Sequence, residues 1–313
     1  DRVRVLAEIS AFEGHLDQQR AALGVLIALG GADRGQHDIV QRLDARQPDQ
    51  PQIRLDQQAH SLLATPGDTG SLPMMFSLVA EPISSALGPS LKTESVGRRQ
   101  RVDTGDSLRV EVSRWMGALG MDEFDMYVGG REPGAILGVA DDKPAIVIGT
   151  DVSVPLTAAQ RACVARAVYA LQRGTTAVLH NDDHTVASIA VAVSNDAGVS
   201  VAEPPYAVYK EVQRAIQKAM SRKLRKLATP VCMQVQHEAA DVRAWAAAAR
   251  RSLDRMALVA AGDAASVIDD IVGVPGTPER AALKSNERAK HLLCFALSRD
   301  YLALRQQLGM VIK

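Results

Sequence analysis

The segment HNDDH, residues 180–184, has the residue types and the spacing of a metal site. Positions i and i+4 share one face of a helix, so His180 and His184 could point the same way, with Asp182 or Asp183 adding an oxygen ligand. Such ligands suit zinc or manganese. Asn and Asp are equally typical of a helix start, where they accept hydrogen bonds from free backbone N–H groups. We favour a capped turn, and the alternative is a metal-dependent hydrolase that uses His180, Asp183 and His184.

A second segment, HEAAD at residues 237–241, is similar to a zinc motif but ends in Asp241 rather than His. It precedes a long helical pattern, so Glu238 and Asp241 are better explained as acidic residues of a first helical turn. His237 could join the HNDDH segment only through a fold contact that a sequence does not reveal. We therefore favour a helix start here as well.

Other catalytic chemistries find no support in the sequence. There is no GxSxG or Walker pattern, and the glycines of residues 129–134 lie in a predicted hairpin rather than between a strand and a helix. The three cysteines, Cys163, Cys232 and Cys294, are far apart and lack CxxC spacing, which favours a reducing compartment and a cytoplasmic location. We predict no catalytic residue and no cofactor.

Residues 207–228 form a predicted amphipathic helix with a basic face. No aromatic residue is interleaved among its cations, and the chain has 36 basic and 36 acidic residues, so specific nucleic-acid binding is not expected. A solvated face is favoured, followed by a docking surface for an acidic protein partner. The cations are Lys210, Arg214, Lys218, Arg222, Lys223, Arg225 and Lys226.

The elements that would position these residues are mostly helices. Hydrophobic residues make up 47% of the chain, but no run reaches the 18 apolar residues of a membrane helix, so we predict no transmembrane segment. The chain begins at Asp1 without Met and directly with a helical pattern, which favours a piece of a longer polypeptide. Predicted helices are 157–173, 182–194, 205–228, 239–262, 264–271 and 278–308.

Three segments emerge from this pattern. Residues 1–45 predict a helical hairpin and a third helix, 46–106 a linker with a helical extension, and 107–313 a helical domain with a small sheet. In the last segment Ser107 is a predicted N-cap and Gly120 a predicted stop. The short strands FDMYVGG, AILGVA and AIVIGTDV lack helix-length crossovers, so an antiparallel sheet is expected. The predicted fold class is mainly α, of the α+β kind.

The order of elements from residue 107 to residue 173 resembles the minimal gluzincin metallopeptidases, whose buried helix carries HExxH. The lead-in LTAAQ (156–160) places that motif on AVYAL (167–171), and RRSLDR (250–255) resembles the second family motif. The resemblance implies a degenerate fold without metal ligands, in which Arg250 replaces a Glu ligand and Asp254 matches the family's Asp. The degenerate positions are Ala167, Val168, Leu171, Arg250 and Asp254.

The whole chain resembles the C-terminal region of large tetratricopeptide-repeat proteins of myxobacteria and related deltaproteobacteria. The layout of residues 1–45, with Gly14 at the inter-helix turn, resembles one repeat. The resemblance implies a non-catalytic protein-interaction or scaffolding module, a pseudoenzyme with protein partners. A structural subunit of a larger assembly, able to self-associate, is the third possibility. If the site is degenerate, Ala167 and Leu171 should face the helix of Arg250.

Overall fold

A computed structural model describes residues 2–312 and shows a mainly helical chain with one small sheet. Three N-terminal helices form as the sequence predicts, and Gly14, with φ +75°, makes the turn between the first two. Asp33 caps the third helix by accepting a hydrogen bond from the backbone N–H of Gln36. The helices up to the sheet are α1 (Arg2–Phe12), α2 (Leu16–Ala28), α3 (Arg34–Asp44), α4 (Gln57–Leu63), α5 (Ser71–Leu78), α6 (Ala80–Leu87) and α7 (Ser107–Ala118).

The limits of α7 differ slightly from the prediction. Asp106, not Ser107, is the N-cap, because its carboxylate accepts hydrogen bonds from the backbone N–H groups of Leu108 and Arg109. The predicted stop at Gly120 is confirmed, and that residue has φ +80° just after the helix. Aspartate and serine are both good N-cap residues, so residue type alone does not decide which of two adjacent residues caps the helix.

The sheet is mixed, so the prediction of an antiparallel sheet is wrong. Its strands are β1 (Asp125–Val128), β2 (Ile136–Val139) and β3 (Ala145–Ile148), in the order β1-β3-β2. β3 is antiparallel to β2 but parallel to β1. No helical crossover is needed, because β2 itself reverses the chain between the two parallel strands. Residues 129–135 only have to step across β3, about 10 Å at the usual strand spacing.

The C-terminal part is helical, with more breaks than the sequence predicts. The predicted helix 205–228 is two helices, because Met220 is extended and Ser221 caps the second one. The segment 278–308 contains a 3₁₀ turn and two helices. The helices are α8 (Ala158–Arg173), α9 (Thr176–His180), α10 (Asp183–Asp196), α11 (Tyr209–Ala219), α12 (Arg222–His237), α13 (Val242–Ala261), α14 (Ala264–Val272), α15 (Glu287–Ala296) and α16 (Arg299–Gln307).

Helix α13 is shared by two hydrophobic cores. Its N-terminal part, with Trp245 and Ala249, packs with α5, α6 and α9–α12. Its C-terminal part, from Leu253 to Ala261, packs with α7, α8, α14–α16 and the sheet, and the same core reaches Val25 of α2. None of the helices in the described range, 2–312, is long and apolar enough to cross a membrane.

The junction after α8 gives a test of how tightly this helix is placed. Gly174 has φ +66°, and a Cβ there would lie 2.4 Å from Cα of Ser77 in α5. Gly198 has φ +84° but open space around it. We expect Gly198→Ala to cost about 1–2 kcal/mol through backbone strain alone. Gly174→Ala should cost clearly more, because it adds a steric clash, and urea unfolding of both variants would measure this. Equal losses would contradict the close approach of α8 and α5.

Candidate functional site

A buried carboxylate, Asp254, lies where α8, α13 and α15 meet. It is 1% exposed, and both of its oxygens accept hydrogen bonds from Arg288 of α15, with 2.7 Å between Nη2 and Oδ1. Nη2 of Arg166, in α8, lies 3.2 Å from Oδ1 of the same carboxylate. The two guanidinium groups neutralise Asp254 and connect three helices at the centre of the larger core.

The charge of Arg166 is retained despite burial. Burial opposes the guanidinium charge, but the carboxylates of Asp254 and Asp270 outweigh it and raise the pKa of Arg166. Asp270 extends the network to the surface, because its side chain is 50% exposed while that of Asp254 is 2% exposed. The sequence interpretation missed Arg166 and Arg288, although an arginine among the alanines of a buried helix is a signal that a buried acid is nearby.

Arg250 lies one turn before Asp254 and points to a different part of the fold. Its guanidinium group forms an ion pair with Asp183 at the start of α10. It also donates hydrogen bonds to the carbonyl oxygens of Val178 (3.0 Å) and Asn181 (2.7 Å), at the end of α9. Arg250 therefore fixes the α9–α10 junction to α13.

The apolar positions of α8 lie inside the larger core. Ala167, Val168 and Leu171 are buried, as the prediction of a packed helix requires. However, Leu171 faces β2, where its Cγ lies 3.0 Å from the position that a Cβ of Gly138 would take. Helix α8 does pack against α13, the helix of Arg250, as expected, but Leu171 itself lies on the side of α8 that contacts β2. The reason is that α8 packs between the sheet and α13, and its polar contact with α13 is made by Arg166.

The structure does not bring His180, Asp183 and His184 together as metal ligands. His180 is half-buried, His184 packs edge-on against Tyr206 with 4.3 Å between ring centroids, and Asp183 pairs with Arg250. Asp182 caps α10 and accepts a hydrogen bond from the Thr185 N–H at 2.7 Å, as a helix start predicts. Among residues 2–312, no three His, Cys, Asp or Glu side chains are grouped so that they could hold a metal ion.

The HEAAD segment is also a helix boundary. Asp241 caps α13 by accepting hydrogen bonds from the backbone N–H groups of Arg243 and Ala244. Glu238 accepts a hydrogen bond from the Ser71 hydroxyl at 2.6 Å, so it joins the end of α12 to the start of α5. His237 ends α12 on the exposed surface.

The basic face lies on the surface of α11 and α12. Two of its cations are engaged: Lys210 pairs with Glu203 at 2.7 Å, and Arg225 pairs with Asp196 at 2.6 Å. The break at Met220 divides the remaining cations between two helices, so they do not form one continuous stripe. The exposed cations are Lys210, Arg214, Lys218, Arg222, Lys223 and Lys226.

An open cleft of about 520 Å³ lies beside the ion pairs of Arg250 with Asp183 and of Arg288 with Asp254. Its charged lining is balanced, with three arginines and three acids, and Arg250 and Arg288 are already held by carboxylates. The lining residues are Asn181, Asp182, Asp183, Ala247, Arg250, Arg251, Glu287 and Arg288. The cleft is thus lined by charges of balanced sign, and two of its three arginines are in ion pairs.

A second buried ion pair surrounds the C-terminal end of α8. Asp68 is 2% exposed and lies 2.7 Å from Nη1 of Arg173, whose guanidinium group also lies near the ring of Tyr169. Burial raises the pKa of Asp68, while Arg173 opposes that shift. This pair ties the loop before α5 to α8, and it too has structural rather than reactive geometry.

Comparisons with models of protein families, with curated proteins and with solved structures found no match to this chain.

The two partners of Arg166 allow a matched test of burial. Asp254→Asn leaves two guanidinium groups without a buried counter-charge, and we expect it to lower the free energy of unfolding by about 3–5 kcal/mol. Asp270→Asn removes a half-exposed partner of the same arginine and should cost at most about 1 kcal/mol. Urea unfolding at pH 7 measures both, and similar losses would contradict a central role of Asp254.

The burial of His180 predicts a pH dependence of stability. Burial lowers the pKa of this imidazole, and Glu94 only partly opposes the shift. An unfolded chain protonates the same group near pH 6.5. Below that pH the unfolded state binds a proton that the folded state does not, so the free energy of unfolding falls as the pH falls. His180→Gln should lose less stability than the wild type between pH 8 and pH 5.5 in urea titrations. Parallel pH profiles would contradict this.

Proposed function

We propose that this chain is a non-catalytic protein-interaction or scaffolding module, built on a degenerate gluzincin-like domain that follows repeat-like helices. The observation that carries the proposal is the pairing of Arg250 with Asp183. Arg250 stands where the resembled family has a Glu ligand. The same guanidinium group forms an ion pair with Asp183, which is a ligand in the alternative metal site. One ion pair therefore removes a ligand from both metal-site hypotheses.

The neighbouring positions support the same proposal. Leu171, which matches a histidine ligand, packs against β2, and Asp254 is neutralised by two arginines. A cation at a ligand position repels a metal ion, and an acid paired with guanidinium groups is a poor base. Hydrolysis would require an activated water or a free nucleophile, and the paired groups described above supply neither.

An interaction role also agrees with the exposed surfaces of the molecule. The basic face of α11 and α12 could contact an acidic protein, and α1 has exposed apolar side chains on its outer face. Contiguous exposed apolar surface marks contact sites in monomeric domains. In this proposal the binding surfaces are on the outside of the fold and the interior is closed by ion pairs.

Metal content tests this proposal directly. Purified protein would be incubated with excess zinc or manganese, dialysed extensively and measured by inductively coupled plasma mass spectrometry. We expect far less than one metal ion per chain, because the candidate ligands are held apart or paired. A His180→Ala/His184→Ala variant should keep the same metal content and the same circular dichroism spectrum.

The hydrolase alternative predicts the opposite pair of results. Stoichiometric metal in the wild type, lost in the double histidine variant, would overturn the module proposal. Arg251→Ala serves as a matched surface control in the same cleft and should leave the metal content unchanged under either hypothesis.

A further inference from the structure

A cavity of about 330 Å³ lies beside the start of α7. Three arginines but only one acid line it, whereas the cleft beside Arg250 has equal numbers of both. The lining residues are Arg98, Arg101, Val102, Asp103, Thr104 and Arg109. The excess of positive charge in so small a space asks for a negative partner.

Arg109 is the most deeply buried of the three arginines, with 8% of its surface exposed. Its Nη2 donates a hydrogen bond to the Phe124 carbonyl oxygen at 2.8 Å, and its guanidinium group lies over the Phe124 ring, 4.4 Å from the centroid. Its Nη1 is buried without a hydrogen-bond partner. Neither contact supplies a full negative charge, and burial of a cation without a counter-charge is unfavourable.

The other buried arginines of residues 2–312 are satisfied within the chain. Arg20 and Arg166 form ion pairs with carboxylates. Arg305 has no ion pair, but both of its terminal nitrogens donate hydrogen bonds to backbone carbonyl oxygens. Arg109 therefore differs from them, because it has neither an ion pair nor partners for both terminal nitrogens.

The two other arginines of the cavity add to this positive charge. Arg98 is exposed and forms no ion pair with any residue of the range 2–312. Arg101 pairs with Asp125 at 2.7 Å, but Lys143 contacts the same carboxylate at 3.0 Å, so one acid is shared by two cations. The side chain of Thr104 is exposed and offers a hydroxyl group as a further donor.

We propose that this cavity binds a small oxyanion of the phosphate class, either free phosphate or the phosphate group of a small metabolite. Guanidinium groups bind phosphate through paired, charge-assisted hydrogen bonds. A phosphomonoester carries about −1.5 to −2 charges at pH 7, which would neutralise the excess charge around Arg109. Asp103 opposes the anion, so the affinity is moderate. This inference goes beyond the proposed interaction role and does not depend on it.

Isothermal titration calorimetry with inorganic phosphate and with phenyl phosphate, at matched ionic strength, tests the site. The wild type should show saturable binding. Arg98→Gln should weaken it about tenfold, the effect of losing one charge-assisted hydrogen bond. Asp103→Asn should strengthen it, because the only acid that lines the cavity is removed. Lys223→Gln removes an exposed cation of the basic face on α12 and should change nothing. These three positions are exposed, so circular dichroism should confirm an unchanged fold.

The two probes distinguish the sources of the anion. Tighter binding of phenyl phosphate would support an organic phosphate as the ligand, and tighter binding of inorganic phosphate would support the free anion. Three outcomes would overturn the proposal: no saturable binding of either probe, unchanged binding by Arg98→Gln, or equal weakening by Lys223→Gln, which would indicate general attraction to positive charge. None of these results changes the metal content, so failure of this site is distinguishable from failure of the module proposal.

Discussion

The buried charge of Asp254 is the constraint on which the central packing depends. An unpaired carboxylate at 1% exposure would be strongly unfavourable, so the helices that carry its two guanidinium partners must meet α13 at this point. Arg166 fixes α8, and Arg288 fixes the start of α15. Because α8 also packs against β2, the position of the sheet follows from the same contact.

The polar residues in the middle of α13 contact several different parts of the fold. Ser252 accepts a hydrogen bond from the Thr65 backbone N–H at 2.9 Å, which attaches the α4–α5 connection, and Arg250 attaches the α9–α10 junction. The flanking parts of α13 are apolar and would tolerate a small shift along the helix axis. Paired polar groups do not tolerate such a shift, since each would lose its partner. We infer that these residues set the register of α13 between its two cores.

Local structure was largely predictable from the sequence, because the start and the end of a helix depend on the types of a few neighbouring residues. The capping box at Thr157 and Gln160, together with Gly174 at the C-terminus, defines α8 within two residues. Pairing over long distance was not predictable. The parallel contact of β1 and β3 depends on where β2 lies, and the partners of Asp254 come from helices on either side of it in the chain. Neither relation leaves a local pattern.

The two metal-like segments show why residue type alone was ambiguous. The side chains that bind metal ions well, Asp above all, also accept hydrogen bonds from the free N–H groups of a helix start. In HNDDH and in HEAAD, Asp182 and Asp241 are N-caps. The deciding residue lies elsewhere in each case: Arg250 neutralises Asp183, and Ser71 binds Glu238. An acid that faces a cation or a hydroxyl group, as Asp183 and Glu238 do, has a structural role. An acid that faced a second metal-binding side chain would instead be a candidate metal ligand. The spacing within a segment therefore identifies candidates, while the partner across the fold determines what they do.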